Sequence, residues 1–279
     1  MPIFILVINV AILLCTPIFV WADGGELMVY PTRIVFEKNR RSAQIELTNT
    51  GTGTVNYKLS LQNKRMNEVG QFSFAESPRA GELFADHLIQ FSPKNIEIPP
   101  GGGQVVRLIL RKPANLEIGE YRSHLVFNRQ PDIKQKKMEE ENQASGKEIS
   151  ISITALIGLS IPIIVENGAT TVTGAISSLK ILSAAGEKAP LLKLKLERSG
   201  NRSLYGDLTI KYKNSGGKEL LINESKGLAI YSPNPFRMIE IPLPPDKTGP
   251  LKKGTLEASF RETKEAGGKL LAQNTLEVP

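Results

Sequence analysis

The sequence contains few of the residues on which catalysis and covalent cross-linking depend. Its 279 residues include one cysteine, Cys15, and two histidines, His87 and His124. A single cysteine cannot close an internal disulfide, so packed cores must stabilise the folded part. A Gly-x-Ser-x-Gly turn, a phosphate-binding glycine loop and a zinc-type cluster of cysteines and histidines are all missing. The sequence therefore predicts a protein that is not an enzyme and that carries no cofactor and no metal.

Charged side chains are missing from residues 1–22, which form one apolar run. The run ends in Val20-Trp21-Ala22, and this pattern predicts a secretory signal peptide, residues 1–22, cut after Ala22. The alternative is an uncleaved membrane anchor, because the run approaches the roughly 20 residues that span a bilayer and lacks a positive start. Both interpretations predict export of the remaining chain.

No segment keeps an apolar period of 3.6 residues over three turns, so the sequence argues against a helical fold. Apolar residues alternate with polar ones after residue 26, and turn sequences such as "IPPGGGQ" separate short alternating segments. This pattern is typical of an immunoglobulin-like sandwich, and it restarts after "IPIIVENGA". We therefore predict an all-β protein with two tandem immunoglobulin-like β-sandwich domains, residues 23–166 and 167–279.

The predicted strands of the first domain cover residues 27–37, 42–49, 55–62, 88–91, 95–98, 104–111 and 119–128. Those of the second cover residues 172–179, 191–196, 204–212, 228–231, 238–243, 255–260 and 269–278. Between the two sets, the charged run at residues 129–147 predicts a loop, and a further strand begins at Lys147.

The net charge of +7 comes from 35 Lys+Arg against 28 Asp+Glu. The basic residues are scattered among acidic ones and do not form a stripe with aromatic residues between them. This distribution is typical of a solvated basic surface and argues against nucleic-acid binding. Nothing in the sequence indicates a small-molecule substrate.

Two stretches indicate protein binding. In "YPTRIVFE", Thr32 and Arg33 interrupt an apolar segment, and a guanidinium offers a planar fork of donors that suits a carboxylate. The alternative is an arginine at a strand edge that faces water.

The second stretch is "KEISISITALIG", residues 147–158, in which Ile149, Ile151 and Ile153 share one face of a strand. In a closed sandwich these isoleucines would belong to the core. At a sheet edge after a charged loop, they would instead serve a partner strand.

Residues 26–165 resemble the periplasmic pilus chaperones, PapD-like proteins with two immunoglobulin-like domains. The resemblance rests on "PTRIVFEKNRRSAQIELTNTG", "FSPKNIEIPPGGGQVVRLILRKP", "GEYRSHLVFN" and the alternating "ISISIT". It implies that Arg33, with Thr32 beside it, holds the C-terminal carboxylate of a pilus subunit. It also implies that Ile149, Ile151 and Ile153 form a donor strand, which fills the groove of a subunit that lacks its final strand.

The resemblance further implies a periplasmic location, pilus-like subunits as partners and an outer-membrane usher as a second candidate partner. The family usually carries a lysine a few residues beyond the alternating apolar positions, and here Gly158 occupies that place. Another basic residue would have to replace it. The alternative function is a structural or adhesive cell-envelope protein whose domains pack permanently against neighbours.

Overall fold

The computed structural model describes residues 27–131, 158–182, 190–243 and 253–279. Within these ranges the chain forms eighteen β-strands and two short 3₁₀ turns. The strands build two sandwiches, one after the other along the chain, and each sandwich consists of two sheets. Two further strands form a hairpin. The predicted all-β fold with two tandem sandwich domains is therefore confirmed. The signal peptide at residues 1–22 lies outside the described residues.

The first sandwich uses strands between residues 27 and 167. Their bounds are β1 Leu27–Tyr30, β2 Ile34–Phe36, β3 Ser42–Asn49, β4 Val55–Gln62, β7 Ile89–Ser92, β8 Asn95–Ile98, β9 Gly103–Leu110, β10 Gly119–Gln130 and β11 Leu159–Asn167. One sheet has the order β1-β3-β9-β7 and the other β2-β11-β10-β4-β8. Alternate residues of both sheets, such as Ile45, Leu108 and Phe127, form one core.

The segment 27–37 is two strands and not the single strand that its apolar character predicts. β1 pairs with β3 in one sheet, whereas β2 runs parallel to β11 in the other. Pro31 lies between them and has no N–H to continue a ladder, so the chain crosses from one sheet to the other there. Arg33 is the residue immediately before β2.

A hairpin of β5, Lys64–Met66, and β6, Phe72–Phe74, follows β4 and was missing from the sequence prediction. Its apolar residues do not alternate over enough positions to stand out from a loop. Hydrogen bonds connect it to the second sandwich: Asn234 donates from Nδ2 to the Met66 carbonyl at 2.7 Å, and the Met238 N–H donates to the Glu68 carbonyl at 2.7 Å.

The second sandwich begins after the linker 168–171. Its strands are β12 Val172–Leu182, β13 Leu191–Gly200, β14 Leu204–Asn214, β15 Glu219–Ile230, β16 Phe236–Pro242, β17 Gly254–Arg261 and β18 Leu270–Val278. The sheets have the orders β12-β13-β16 and β15-β14-β17-β18. Each overlaps a strand predicted from the sequence, although β15 begins nine residues before the predicted 228.

The two sandwiches share apolar contacts. Ile164 of β11 is fully buried within the core of the second sandwich, and Val35 of β2 packs against that same core. Their strand neighbours Ile34, Ile163 and Val165 face the core of the first sandwich. Both faces of this part of the sheet are therefore covered, which explains why residues 161–165 read as a continuous apolar run.

Candidate functional site

The candidate site is the outer face of the first sandwich where the second sandwich and the β5–β6 hairpin cover it, and this covered region is called the cleft below. Strand β10 presents Glu120, Arg122 and His124 on this face, because Tyr121 and Leu125 between and beside them point into the core. The parallel ladder between β2 and β11 pairs Ile34 with Ile163. One residue earlier in each segment, Arg33 therefore lies beside Pro162. Pro162 is itself paired with His124. Arg33 and His124 thus flank the same residue of β11.

Arg33 is half-buried and stacked on aromatic rings of the second domain. Its Cζ lies 4.2 Å from the ring centroid of Tyr205 and 6.0 Å from that of Tyr231. Its Nη1 is buried and has no hydrogen-bond partner among the described residues. A stacked guanidinium keeps its in-plane donors available, so Arg33 is held in place with a donor unused.

Arg122 lies deeper in the cleft and is 7% exposed. Its Cζ sits 4.2 Å from the ring centroid of Tyr231, and its Nη1 donates to the Lys64 carbonyl at 3.0 Å. Its Nε has no partner in the described part of the chain. Burial lowers the pKa of Arg122, the charges of Glu120 and Glu82 offset part of this shift, and the charge of Arg33 adds to it. The cleft therefore holds a second cation that costs free energy to bury.

His124 is 3% exposed, and its Nδ1 also lacks a partner in the described ranges. Its ring meets Phe72 edge-on at 5.1 Å between centroids and Tyr231 at 6.2 Å. Burial lowers its pKa to about 3, helped by the charges of Arg122, Lys64 and Arg33. His124 is therefore neutral in the folded protein. The sequence prediction that this histidine is no catalyst stays untested.

Lys64 adds a third cation at the mouth of the cleft. Its Nζ donates to the Ser160 Oγ at 2.9 Å, which ties the hairpin to β11. Burial lowers the pKa of this ammonium. The charges of Lys64, Arg122 and Arg33 all act on His124, so the three side chains share one neighbourhood.

Glu120 and Glu82, whose charges act on Arg122, make their hydrogen bonds to other residues. Both oxygens of Glu120 accept hydrogen bonds from Ser203, one from its N–H at 2.8 Å and one from its hydroxyl. Glu82 accepts from Nε and Nη2 of Arg65. None of the ion pairs among the described residues involves Arg33, Arg122 or Lys64. This part of the cleft thus has an excess of positive charge and suits an anionic ligand.

Thr32 lies at the outer end of the same cleft and is exposed. Together with the Tyr205 ring on which Arg33 stacks, it lines a cavity of about 310 Å³. The other lining residues come from the second sandwich: Asp207, Lys226, Gly227, Thr263, Lys264 and Glu265. The structure therefore places Thr32 and Arg33 at one border between the two domains.

Ile149, Ile151 and Ile153 lie outside the described residues. The strand that follows them, β11, pairs with β10 along its whole length but with β2 at residues 163–165 alone. Within the described residues, its second edge at 159–162 has no strand beside it. Leu159 at the start of this edge is 40% exposed. An unpaired edge of this kind can add a strand from another chain.

Arg122 is a site residue that the sequence reasoning missed. The signal was present in "GEYRSHLVFN", where Glu120, Arg122 and His124 recur at every second position. A fully apolar face would have indicated a strand buried on both sides, and a charged face suggested exposure to solvent. The structure shows the third possibility, a charged face covered by another domain.

The described ranges hold no group of three or more His, Cys, Asp or Glu side chains that could bind a metal ion. A helix long and apolar enough to cross a membrane is likewise not found in them.

No family model matches the chain, and no curated protein matches its sequence. Solved structures do match it. The match to the YadV chaperone covers 90% of this chain and 99% of the YadV chain, at 10% identity and a TM-score of 0.46. The match to the CupB2 chaperone of Pseudomonas aeruginosa covers 90% of this chain and 98% of the CupB2 chain, at 11% identity and a TM-score of 0.44.

A third match is the CsuC–CsuE complex of a chaperone and a tip adhesion subunit, from the Csu pili of Acinetobacter baumannii. It covers 90% of this chain and 97% of its own, at 14% identity and a TM-score of 0.44. All three are remote similarities, at 10–14% identity. The fold itself rests on the sheets described above.

Proposed function

We propose that this chain is a periplasmic chaperone that binds pilus, fimbrial or other surface-structure subunits by donor-strand complementation. Arg33, with Thr32 beside it, receives the C-terminal carboxylate of the subunit. Ile149, Ile151 and Ile153 enter the groove that the subunit's missing strand leaves open. An outer-membrane usher is a further proposed partner, because a subunit held in this way must be passed on for assembly.

The observation that carries the proposal is the unused donor of Arg33, which forms no ion pair with a carboxylate of the described residues. A guanidinium fixed by Tyr205 with Nη1 unpartnered offers a ligand site that no described residue fills. A carboxylate would complete it through charge-assisted hydrogen bonds, which are about twice as strong as neutral ones.

The edge of β11 at residues 159–162, which has no strand beside it among the described residues, supports the second half of the proposal. Ile161, Ile163 and Val165 are buried in the first core, and in the sequence Ile149, Ile151 and Ile153 precede them at positions of the same parity. A strand that continued past the end of the sandwich would turn this apolar face toward a bound subunit. Each isoleucine buried against a partner contributes about 1.5–3 kcal/mol.

The test is capture of a subunit from the periplasm by the full chain. We expect Arg33→Ala and Ile151→Asp each to abolish co-purification of a pilin-like protein, while the melting temperature stays within a few degrees of the wild type. Arg107→Ala, at an exposed position of β9, is the matched control and should retain the client. A large fall in melting temperature for Ile151→Asp would place that isoleucine in a closed core and favour a structural envelope protein.

A further inference from the structure

We propose that Arg122 supplies the second cation of the carboxylate site, so that a bound C-terminus is held by Arg33 and Arg122 together. This inference rests on the proposed function and deepens it, because it names the group that replaces the missing lysine. The ligand class is the C-terminal carboxylate of a polypeptide.

The geometry of β11 explains why position 158 does not serve. Pro162 lies beside Arg33, one step beyond the paired residues 163–165. Gly158 precedes Pro162 by four residues, a distance of about 13 Å along a strand that rises about 3.3 Å per residue. A side chain at 158 would begin beside Asn128 of β10, far from the Arg33 guanidinium. A second cation must therefore come from another strand.

Arg122 comes from the neighbouring strand and converges with Arg33 on one ring. The Cζ atom of Arg122 lies 4.2 Å from the ring centroid of Tyr231, and the Cζ atom of Arg33 lies 6.0 Å from it. The two Cζ atoms are therefore separated by no more than about 10 Å. A carboxylate has two oxygens and can accept from two guanidinium groups at once. Tyr231 belongs to the second domain, so the site is complete only when both domains are in place.

The state of Arg122 is typical of a ligand site rather than of a structural arginine. It is 7% exposed, its Nε has no partner in the described part of the chain, and Glu120 and Glu82, whose charges act on it, make their hydrogen bonds to Ser203 and Arg65. A structural role would leave a buried cation paired, because an unpaired one is costly. The bond from Nη1 to the Lys64 carbonyl and the stacking on Tyr231 hold the guanidinium in one orientation before a ligand arrives. Such preorganisation lowers the entropy cost of binding.

Lys64 is the competing candidate for the second cation. Its Nζ already donates to Ser160, and its position on the hairpin places it at the mouth of the cleft and not over Tyr231. An ammonium is also a point charge, which lacks the planar fork that a carboxylate matches. The experiment below distinguishes Lys64 from Arg122.

The probe is a short peptide of alternating valine and threonine, made with a free C-terminal carboxylate and, separately, with a C-terminal amide. Titration calorimetry on the full chain gives the ratio of the two dissociation constants. We expect the wild type to bind the acid at least about tenfold more tightly than the amide. Arg122→Gln and Arg33→Gln should each reduce this ratio to about threefold or less. Arg122→Lys should keep an intermediate ratio, and the exposed Arg107→Gln should keep the full one.

A second measurement separates binding from folding. Because Arg122 is a buried cation that forms no ion pair with any described residue, Arg122→Met should leave the melting temperature of the unliganded protein unchanged or higher. The opposite result would be a fall of many degrees in the melting temperature of Arg122→Met, while Arg122→Lys and Arg122→Gln keep the full preference for the acid. Arg122 would then be structural, and the inference would be wrong.

The remaining outcomes are also distinct. If Arg33→Gln loses the preference and Arg122→Gln keeps it, the inference is wrong and the proposed function stands. If Lys64→Gln loses it and Arg122→Gln does not, the second cation is Lys64. If the wild type binds acid and amide equally, the proposed carboxylate capture itself is contradicted.

Discussion

Single side chains in the cleft carry states that their residue types rarely adopt. Among the described residues, Arg122 is buried without an ion pair, and His124 is buried without a partner for Nδ1. Burying each of these groups costs stability. His124 makes this cost measurable, because its charge changes within an accessible pH range.

We expect the stability of the protein to fall as the pH decreases below 6.5, with His124 as one cause. The unfolded chain binds a proton on His124 near its ordinary pKa of 6.5, whereas burial lowers the folded pKa to about 3. Between these values the unfolded state holds more protons, so each fall of one pH unit costs up to about 1.4 kcal/mol. Above 6.5 this contribution is constant.

Urea unfolding of the wild type and of His124→Gln, at several pH values from neutral down to about 5, measures this contribution. His124→Gln should remove the contribution of His124 to the slope of unfolding free energy against pH. His87→Gln is the control, because His87 is exposed and makes no comparable buried contact. Identical slopes in the wild type and His124→Gln would contradict the buried neutral state.

At the scale of elements, strand β11 combines two roles, because it builds the cores and takes part in the proposed binding of a subunit. Its residues 161, 163 and 165 build the first core, its Ile164 enters the second core, and its edge at 159–162 has no partner strand in the described ranges. The hairpin β5–β6 covers the adjacent face with Phe72, which touches both His124 and Tyr231. One strand thus has a structural part and a part that the proposal assigns to binding.

We expect alanine substitutions at Ile163 of β11 and at Ile151, which precedes β11 in the sequence, to differ sharply in their cost. Ile163→Ala should cost about 2–5 kcal/mol of unfolding free energy, because Ile163 is fully buried and a cavity would remain. Ile151→Ala should cost less than about 0.5 kcal/mol, as at a surface position. Ile109→Ala on β9, 46% exposed, is the surface control for denaturant titrations. Comparable losses at 151 and 163 would place both isoleucines in one closed core.

For the molecule as a whole, the two sandwiches are joined by polar as well as apolar contacts. Glu120 of the first domain is 6% exposed and binds the N–H and the hydroxyl of Ser203 in the second. Ser203 Oγ in turn accepts from the N–H of Ser232 at 3.1 Å, beside Tyr231. These bonds hold Tyr231 and Arg33 in the relative position that the proposed site requires.

We expect Glu120→Ala to cost about 1–3 kcal/mol, because it leaves the two donors of Ser203 unsatisfied in a buried place. It should also separate thermal unfolding into two transitions, one for each sandwich, which scanning calorimetry would resolve. Glu97→Ala on β8 removes the same charge from an exposed position and should leave one transition. One sharp transition in Glu120→Ala would show that the packing of Val35 and Ile164 suffices to couple the domains.

Alternation of apolar and polar residues was enough to predict the fold class, because a strand with one buried face repeats with period two. The strand Asn95–Ile98 and the start of β10 at Gly119 follow from it directly. The division of residues 27–37 into two strands did not follow, since a proline within an apolar run is compatible with an edge strand as well as with a change of sheet.

The residue pattern also singled out Arg33, as a cation within an apolar run. Its stacking on Tyr205 and Tyr231, and the presence of Arg122 on the ring of Tyr231, depended on residues that lie between 89 and 198 positions apart along the chain. No local pattern encodes such a meeting, because it arises from how two separately folded sheets pack. The sequence by itself determined the strands and one arginine, and the packing of two domains decided what that arginine faces.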